Sequence, residues 1–306
     1  MSRYRFTCGT LTLGVLIVLL TGPAAWAQSE AWKQKLNNNH VIALQKAGGS
    51  PADEGTLTID YYGHAAFRIT SPKGVVMMFD PWRNDPSGAF GLWFRTEFPK
   101  TPVDMVLSTH AHFDHDAVYA PQSPMVLDRV AGDFALADVR VTGLADKHTC
   151  IAPGTVDWTA FMDEIGQPGC PPDNWGHLDN TIFVVETAGL KTIVWGDNRH
   201  NPSPEVWAAL EGADILIIPI DGSQHLLSYA QIDEITARIG PKAVIPAHYH
   251  TQGATSVIST LGNADEWVDG RENSRKLDGP SISLTTDAVK DMSDQVLYFG
   301  AHHLTE

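Results

Sequence analysis

Cysteine is scarce in this chain, with 3 in 306 residues, and basic residues are outnumbered 36 to 21 by acidic ones, for a formal charge of −15. Beyond the N-terminus no stretch is long and apolar enough to span a bilayer. Short-period repeats are also lacking. The shortage of positive charge argues against nucleic acid and anionic lipid surfaces as partners. The expected partner is a small-molecule substrate, with no stable membrane association, and the oligomeric state stays open. With 43% hydrophobic residues, the chain can build a large core, and nothing in its composition suggests disorder.

The first residues read as an export signal. "MSRYRF" carries Arg3 and Arg5, "LTLGVLIVLL" is apolar but short for a membrane span, and "PAAWA" places small residues at Ala25 and Ala27. This layout predicts a signal peptide over residues 1–27, cleaved after Ala27. Tyr4 separates the arginines, so the twin-arginine signature is absent. Cleavage takes the formal charge from −15 to −17 and removes Cys8. The mature protein is expected in the periplasm or outside the cell. There the remaining pair, Cys150 and Cys170, could form a disulfide or stay as two thiols.

Residues 28–55 read as an N-terminal helix, Ser29 to Lys46, ended by Gly48-Gly49 and followed by a polar linker. From residue 56 onward the texture is that of strands. "LTIDYYG", "AAFRIT", "GVVMMFD", "PVDMVLS", "VRVTGL", "TIFVVET", "KTIVWGD", "DILIIPI" and "KAVIPAH" follow one another, and "SISLTT" and "QVLYFGAH" close the chain. Helical spacing appears in "PSPEVWAALEG", with Ser203 as N-cap, and in "SYAQIDEITARIG". Strands that dominate early and alternate with helices later predict an α/β mixed sandwich with helices outside.

Five polar clusters each follow an apolar strand: "THAHFDH", "DKHTC", "GDNRH", "PIDGSQH" and "PAHYH". Loops at the C-terminal ends of strands converge on one edge of a sheet. In an extended segment, His110 and His112 share one side and can grip one ion. Asp114 and His115 then point elsewhere. One tetrahedral ion needs three or four protein ligands, so this cluster together with the distant loops explains two ions better than one. Asp197 is the candidate carboxylate bridge, and His148 and His248 would complete one ion each.

His110-Ala-His112-Phe-Asp114-His115 resembles the H-x-H-x-D-H signature of the metallo-β-lactamase fold superfamily. "YYGHAAFRI", "VVMMFDPW", "VLSTHAHFDH", "VWGD" and "VIPAHY" occur in the superfamily's order. Together they resemble its L-ascorbate-6-phosphate lactonase-like branch of metal-dependent hydrolases. The resemblance runs from about Leu57 to the C-terminus and implies a single four-layer αββα sandwich over residues 56–306. It implies that His110, His112 and His148 hold one ion, that Asp114, His115 and His248 hold the other, and that Asp197 bridges them. It favours His248 over His250, and His148 over His177. It casts Asp80 as structural support for the metal loop.

The implied chemistry is hydrolysis of a lactone, ester or phosphodiester by a metal-bridging hydroxide, with Asp114 as the catalytic residue that orients it and relays a proton. The cofactors would be two divalent ions, Zn foremost, with Mn and Fe also compatible. A non-catalytic periplasmic metal-binding or sensing module shares the same ligands, and weak β-lactamase-type amide hydrolysis is a further alternative. His64, His225 and Tyr249 are candidates for substrate contact, with a strand-turn cap as the other reading of His64. Trp82, Phe90, Trp93 and Phe94 are read as core, with an aromatic lid as the alternative. Residues 150–174 are either a flap over the site or a surface insertion. Asp116 is expected to cap a following helix.

Overall fold

The computed structural model describes residues 49–88, 91–149, 178–251, 253–255 and 261–305. The expected signal peptide, the helix over 29–46, Phe90, His177 and the whole 150–174 stretch with Cys150 and Cys170 lie outside these residues.

Fourteen described strands form two mixed sheets. The first holds β1 (Thr56–Tyr61), β2 (Phe67–Thr70), β3 (Val76–Phe79), β4 (Met105–Ser108), β5 (Met125–Asp128) and β13 (Ser281–Thr285), in the order β13-β1-β2-β3-β4-β5. The second holds β6 (Gly132–Leu136), β7 (Val139–Asp146), β8 (Asn180–Thr187), β9 (Leu190–Val194), β10 (Ile215–Pro219), β11 (Ala243–Ala247), β12 (Ser274–Lys276) and β14 (Gln295–Tyr298). Its order is β12-β14-β11-β10-β9-β8-β7-β6. The four helices among the described residues are α1 (Pro204–Leu210), α2 (Tyr229–Ile239), α3 (Asp265–Asp269) and α4 (Thr286–Lys290).

The strand pairing decides where the site can form. β6 to β9 run as an antiparallel meander, and β9, β10, β11 and β14 are parallel neighbours. The C-terminal ends of β7, β9, β10 and β11 therefore share one edge. In the first sheet, β1 and β2 are antiparallel, β2 and β3 are antiparallel, and β3 and β4 are parallel. That brings the ends of β1, β3 and β4 to a common edge as well.

Side-chain alternation builds the layers. Met77, Phe79, Met105 and Leu107 point into the main core with Val139, Val141, Ile182 and Phe183 of the second sheet. The Phe79 and Phe183 rings meet at 6.0 Å across the gap. Met78 and Val106, one residue out of phase, point the other way into a second cluster with Tyr62, Trp82, Phe94 and Phe98. "VVMMF" is apolar throughout because it is buried on both faces. Trp82 and Phe94 are 6% and 4% exposed and stack at 4.0 Å, so the core reading of these aromatics holds.

The two expected helices form next to the second sheet. In α1, Ser203 accepts from the Val206 amide, and Pro204 opens the first turn. In α2, Ser228 and Gln231 make a reciprocal capping box, and Gly240 closes the helix at φ 64°. Ile232, Ile235 and Ile239 are the buried stripe. The result is the α/β sandwich with mixed sheets that the strand pattern predicted.

One expectation fails. No helix follows Asp116, because residues 117–124 are turns and bends interrupted by Pro121 and Pro124. Asp116 instead takes both ends of the Arg83 guanidinium, at 2.6 and 3.0 Å.

Candidate metal centre

The ligand atoms of His110, His112, His148 and Asp197 lie within 4.8 Å of one another, and so do those of His64, Asp114, His115 and His248. These are the loops after β4, β7 and β9 for the first group, and after β1, β4 and β11 for the second. Asp197 sits between the groups. Its Oδ2 is 3.6 Å from Nε2 of His110 and of His148, 3.4 Å from that of His115 and 3.2 Å from that of His248. Asp114 Oδ2 is 3.6 Å from Nε2 of both His115 and His248.

Local structure turns these side chains inward. Gly196 takes φ 61°, and a Cβ there would sit 2.7 Å from Cβ of Thr109. Only glycine lets the Asp197 loop come this close to the His110 loop. Thr181 N donates to Thr109 O at 2.8 Å, which ties the two sheets at the same point. Asp80, at φ 46°, accepts from the Thr109 amide (2.7 Å) and the Thr109 hydroxyl (2.8 Å) and pairs with His115 Nδ1 (2.9 Å). Thr109 Oγ1 has thus given its proton to Asp80 and accepts from His110 Nδ1 at 3.0 Å. One carboxylate braces two imidazoles, one directly and one through a hydroxyl.

The His148 loop is clamped from three sides. Asp179 accepts from the His148 amide at 2.7 Å, Arg199 Nε donates to the His148 carbonyl at 2.6 Å, and the Thr149 amide donates to the Asp197 carbonyl at 2.8 Å. Asn198 is fully buried and donates to Asp146 Oδ2 at 2.8 Å. Among the candidates, His225 is 5% exposed, with Nδ1 3.0 Å from Asp221 Oδ2 and its ring 5.1 Å from that of His248.

Nε2 of His110, His115, His148 and His248, and Asp197 Oδ1, are buried without a hydrogen-bond partner. Four such nitrogens facing one carboxylate would be costly to leave so. Their other ring nitrogens are held in three cases: by Thr109 for His110, by Asp80 for His115 and by the Thr149 carbonyl for His148. That is the arrangement of imidazoles prepared to ligate through Nε2. Nitrogen and carboxylate donors in these numbers fit two divalent ions.

Protons stand in for part of that charge. Burial opposes the imidazolium of His115 and His248. Asp197 and Asp114 outweigh it, so His115 is held well above the usual histidine range and His248 is raised to about 9. Burial likewise opposes ionisation of Asp114 and Asp197, yet the facing histidines hold both well below the usual carboxylate range. Burial keeps His110 neutral, well below its ordinary value.

A pH dependence follows from the raised His248. Its stabilising contribution to the ion-free fold is fully present below the ordinary histidine value of about 6.5. It is lost as pH rises through about 9. Ligation requires these protons to leave. Loading with Zn²⁺ near neutral pH is therefore expected to release protons, and apparent affinity should rise with pH across this window. Titration calorimetry in buffers of different ionisation enthalpy measures the release; a heat independent of buffer would overturn this charge assignment.

Two substrate-contact expectations are corrected. Tyr249 is 0% exposed and packs between Tyr61 (5.5 Å) and Tyr298 (5.0 Å), in the aromatic core. His64 is 1% exposed and lies against Asp114, at 2.8 Å, inside the second group. Of the open alternatives, His248 joins the second group, whereas the amide of His250 donates to Gly262 and its side chain joins neither group. Asp146, Asp179, Thr109 and Asp221 were not foreseen. Thr109 and Asp221 lie within the polar clusters "THAHFDH" and "PIDGSQH", which were the only signals that marked them.

Residues 58–248 match the family model described as "Beta-lactamase superfamily domain". The chain belongs to this superfamily. Relatives within it include a UPF0173 metal-dependent hydrolase of Anaeromyxobacter dehalogenans, 41% identical over 65% of this chain and 77% of the relative. Another, from Rubrobacter xylanophilus, is 27% identical over 64% of this chain and 83% of the relative. Among solved structures, a Thermotoga maritima protein assigned to the metallo-β-lactamase superfamily aligns with a TM-score of 0.55 at 20% identity, over 79% of this chain and 98% of that one. The superfamily fold and the paired ligand clusters together are those of a metal-dependent hydrolase.

Proposed function

We propose that this protein is an exported binuclear metal-dependent hydrolase that cleaves a lactone, ester or phosphodiester. The observation that carries the reading is the convergence of four buried, unbonded imidazole nitrogens on Asp197, with a second carboxylate, Asp114, beside two of them. His110, His112, His148 and Asp197 would hold one ion, and Asp114, His115 and His248 the other, with Asp197 shared. Two divalent ions so held supply a nucleophile at neutral pH by acidifying water, and they polarise a substrate oxygen. Zn is favoured by the donor set and by the naming of the Thermotoga neighbour as Zn-dependent. Export rests on the apolar leader, and inclusion of a lactone rests on the resemblance to the ascorbate-phosphate branch.

The chain's own groups divide the remaining work. Asp114 is ionised at neutral pH and can accept the proton of the attacking water, then deliver it to the leaving group. His112 is the exposed member of the first group, so substrate approaches from its side. Asp114→Asn keeps the volume but removes the proton acceptor. It is expected to lower turnover by about 10²–10⁴-fold on whichever lactone, ester or phosphodiester the wild type cleaves, in a chain that stays folded but melts earlier without ions, because Asp114 also faces His115 and His248. Retained turnover would remove Asp114 from this role. Wild type that binds two ions and cleaves no member of the panel would be a binding module instead.

A further inference from the structure

His64 lies where either of two roles could be read into it, and one atom decides between them. Its Nε2 is 2.8 Å from Asp114 Oδ2. The same oxygen faces Nε2 of His115 and of His248, at 3.6 Å each. A fourth ligand of the second ion would need a lone pair on His64 Nε2. A hydrogen bond to a carboxylate oxygen places the proton on that nitrogen, because the carboxylate can only accept. The two roles exclude each other, and the 2.8 Å contact is the one present.

The backbone of His64 holds a second member of the group. Its carbonyl accepts from the His248 amide at 2.9 Å and from the Tyr61 hydroxyl at 3.1 Å. To do this the residue takes φ 57°, a left-handed conformation that costs a side-chain-bearing residue about 1–2 kcal/mol. Gly63 before it is also left-handed, at φ 90°, with Thr251 Oγ1 3.2 Å from where a Cβ would lie. His248 takes φ 60°. The His64 ring then lies 4.0 Å from the His248 ring, centroid to centroid. With 1% exposure it meets no solvent, so it offers no face to a substrate.

We infer that His64 is a positioning residue: its side chain fixes the Asp114 carboxylate and its carbonyl fixes His248, so that it sets affinity for the second ion without ligating it. This rests on the two-ion reading above, but not on any substrate. The first group has no contact with His64 among the interactions described, so its affinity should be insensitive.

The test is competitive titration of the full chain with Zn²⁺ against a chromophoric chelator, which resolves two binding steps. His64→Asn tolerates the left-handed backbone but is too short to reach Asp114. It should weaken the second step by about 10–100-fold and leave the first unchanged. His64→Gln carries an amide N–H at about the distance of the imidazole Nε2 but lacks the ring nitrogen that could ligate. It should restore most of the second step. Equal losses in both variants would make His64 a ligand, and an unchanged second step in His64→Asn would deny it any role; either overturns the inference. Wild type with a single binding step would overturn it together with the two-ion site. Absence of turnover on every substrate, with the Asn–Gln split intact, would sink the hydrolase reading and leave this one standing. Melting of each ion-free variant separates a local loss from failure to fold.

Discussion

Asp197→Asn is expected to abolish the binding of both ions at once. Asp197 Oδ2 lies 3.2 to 3.6 Å from one nitrogen each of His110 and His148 in the first group and of His115 and His248 in the second. Removing a ligand from one ion would ordinarily leave the other in place. Here the same oxygen neutralises both sides, so affinity should fall by more than the roughly 10–100-fold typical of a supporting residue. The ion-free fold should weaken too. Deleting one partner of a buried charged pair costs about 3–5 kcal/mol when the other charge stays. His115 and His248 can shed their protons, which trims that cost. Metal content after dialysis and ion-free melting measure the two effects. A variant that still holds one ion per chain at wild-type affinity would show that Asp197 is not shared.

The second large effect belongs to a residue that touches no ion. Asp80 accepts two hydrogen bonds from Thr109 and pairs with His115 Nδ1, and it is 1% exposed. Asp80→Ala leaves three buried polar groups without their partner, each costing about 1–3 kcal/mol, so a marginally stable domain should melt far earlier or fail to fold. Asp80→Asn separates stability from chemistry. Asparagine tolerates the left-handed backbone at φ 46°, and its amide oxygen can still accept from Thr109. Its amide nitrogen cannot accept from His115 Nδ1, so the imidazole loses the support that aims Nε2 inward. Asp80→Asn should therefore remain folded while losing about 10–100-fold in metal affinity. Wild-type affinity in that variant would show that the brace is only structural.

What could be read from the sequence was whatever a local pattern encodes. Every strand of the parallel core announced itself as an apolar run, because burial on both faces leaves no other composition. β5, β6 and β12 did not. They lie at sheet edges and have exposed residues such as Val126 (45%); β5 and β6 mix charge with apolar residues, and β12 is Ser-Arg-Lys. α3 and α4 are five residues each, too short to show a helical period. The grouping of the histidines was legible because chemistry and strand ends coincide. The misplaced residues depend on partners far along the chain. His64 is defined by Asp114, 50 residues away, and Asp116 by Arg83, 33 residues away. Tyr249 was misread because it neighbours His248 in sequence while its side chain points the opposite way, into the core.

The two groups of ligands also have an architectural consequence. His110 and His112 come from the six-stranded sheet, and their companions His148 and Asp197 from the eight-stranded one. In the other group, Asp114 and His115, with His64 behind them, follow strands of the first sheet and His248 follows a strand of the second. Neither ion can be held by one layer alone. When loaded, each would act as a rivet through the sandwich at its open rim, while apolar packing, with a buried Ser71–Asp138 hydrogen bond away from the site, joins the layers elsewhere. Unlike a covalent staple, such a fastening varies with the metal supplied to the compartment, and the rim is where the layers would first part when that supply fails.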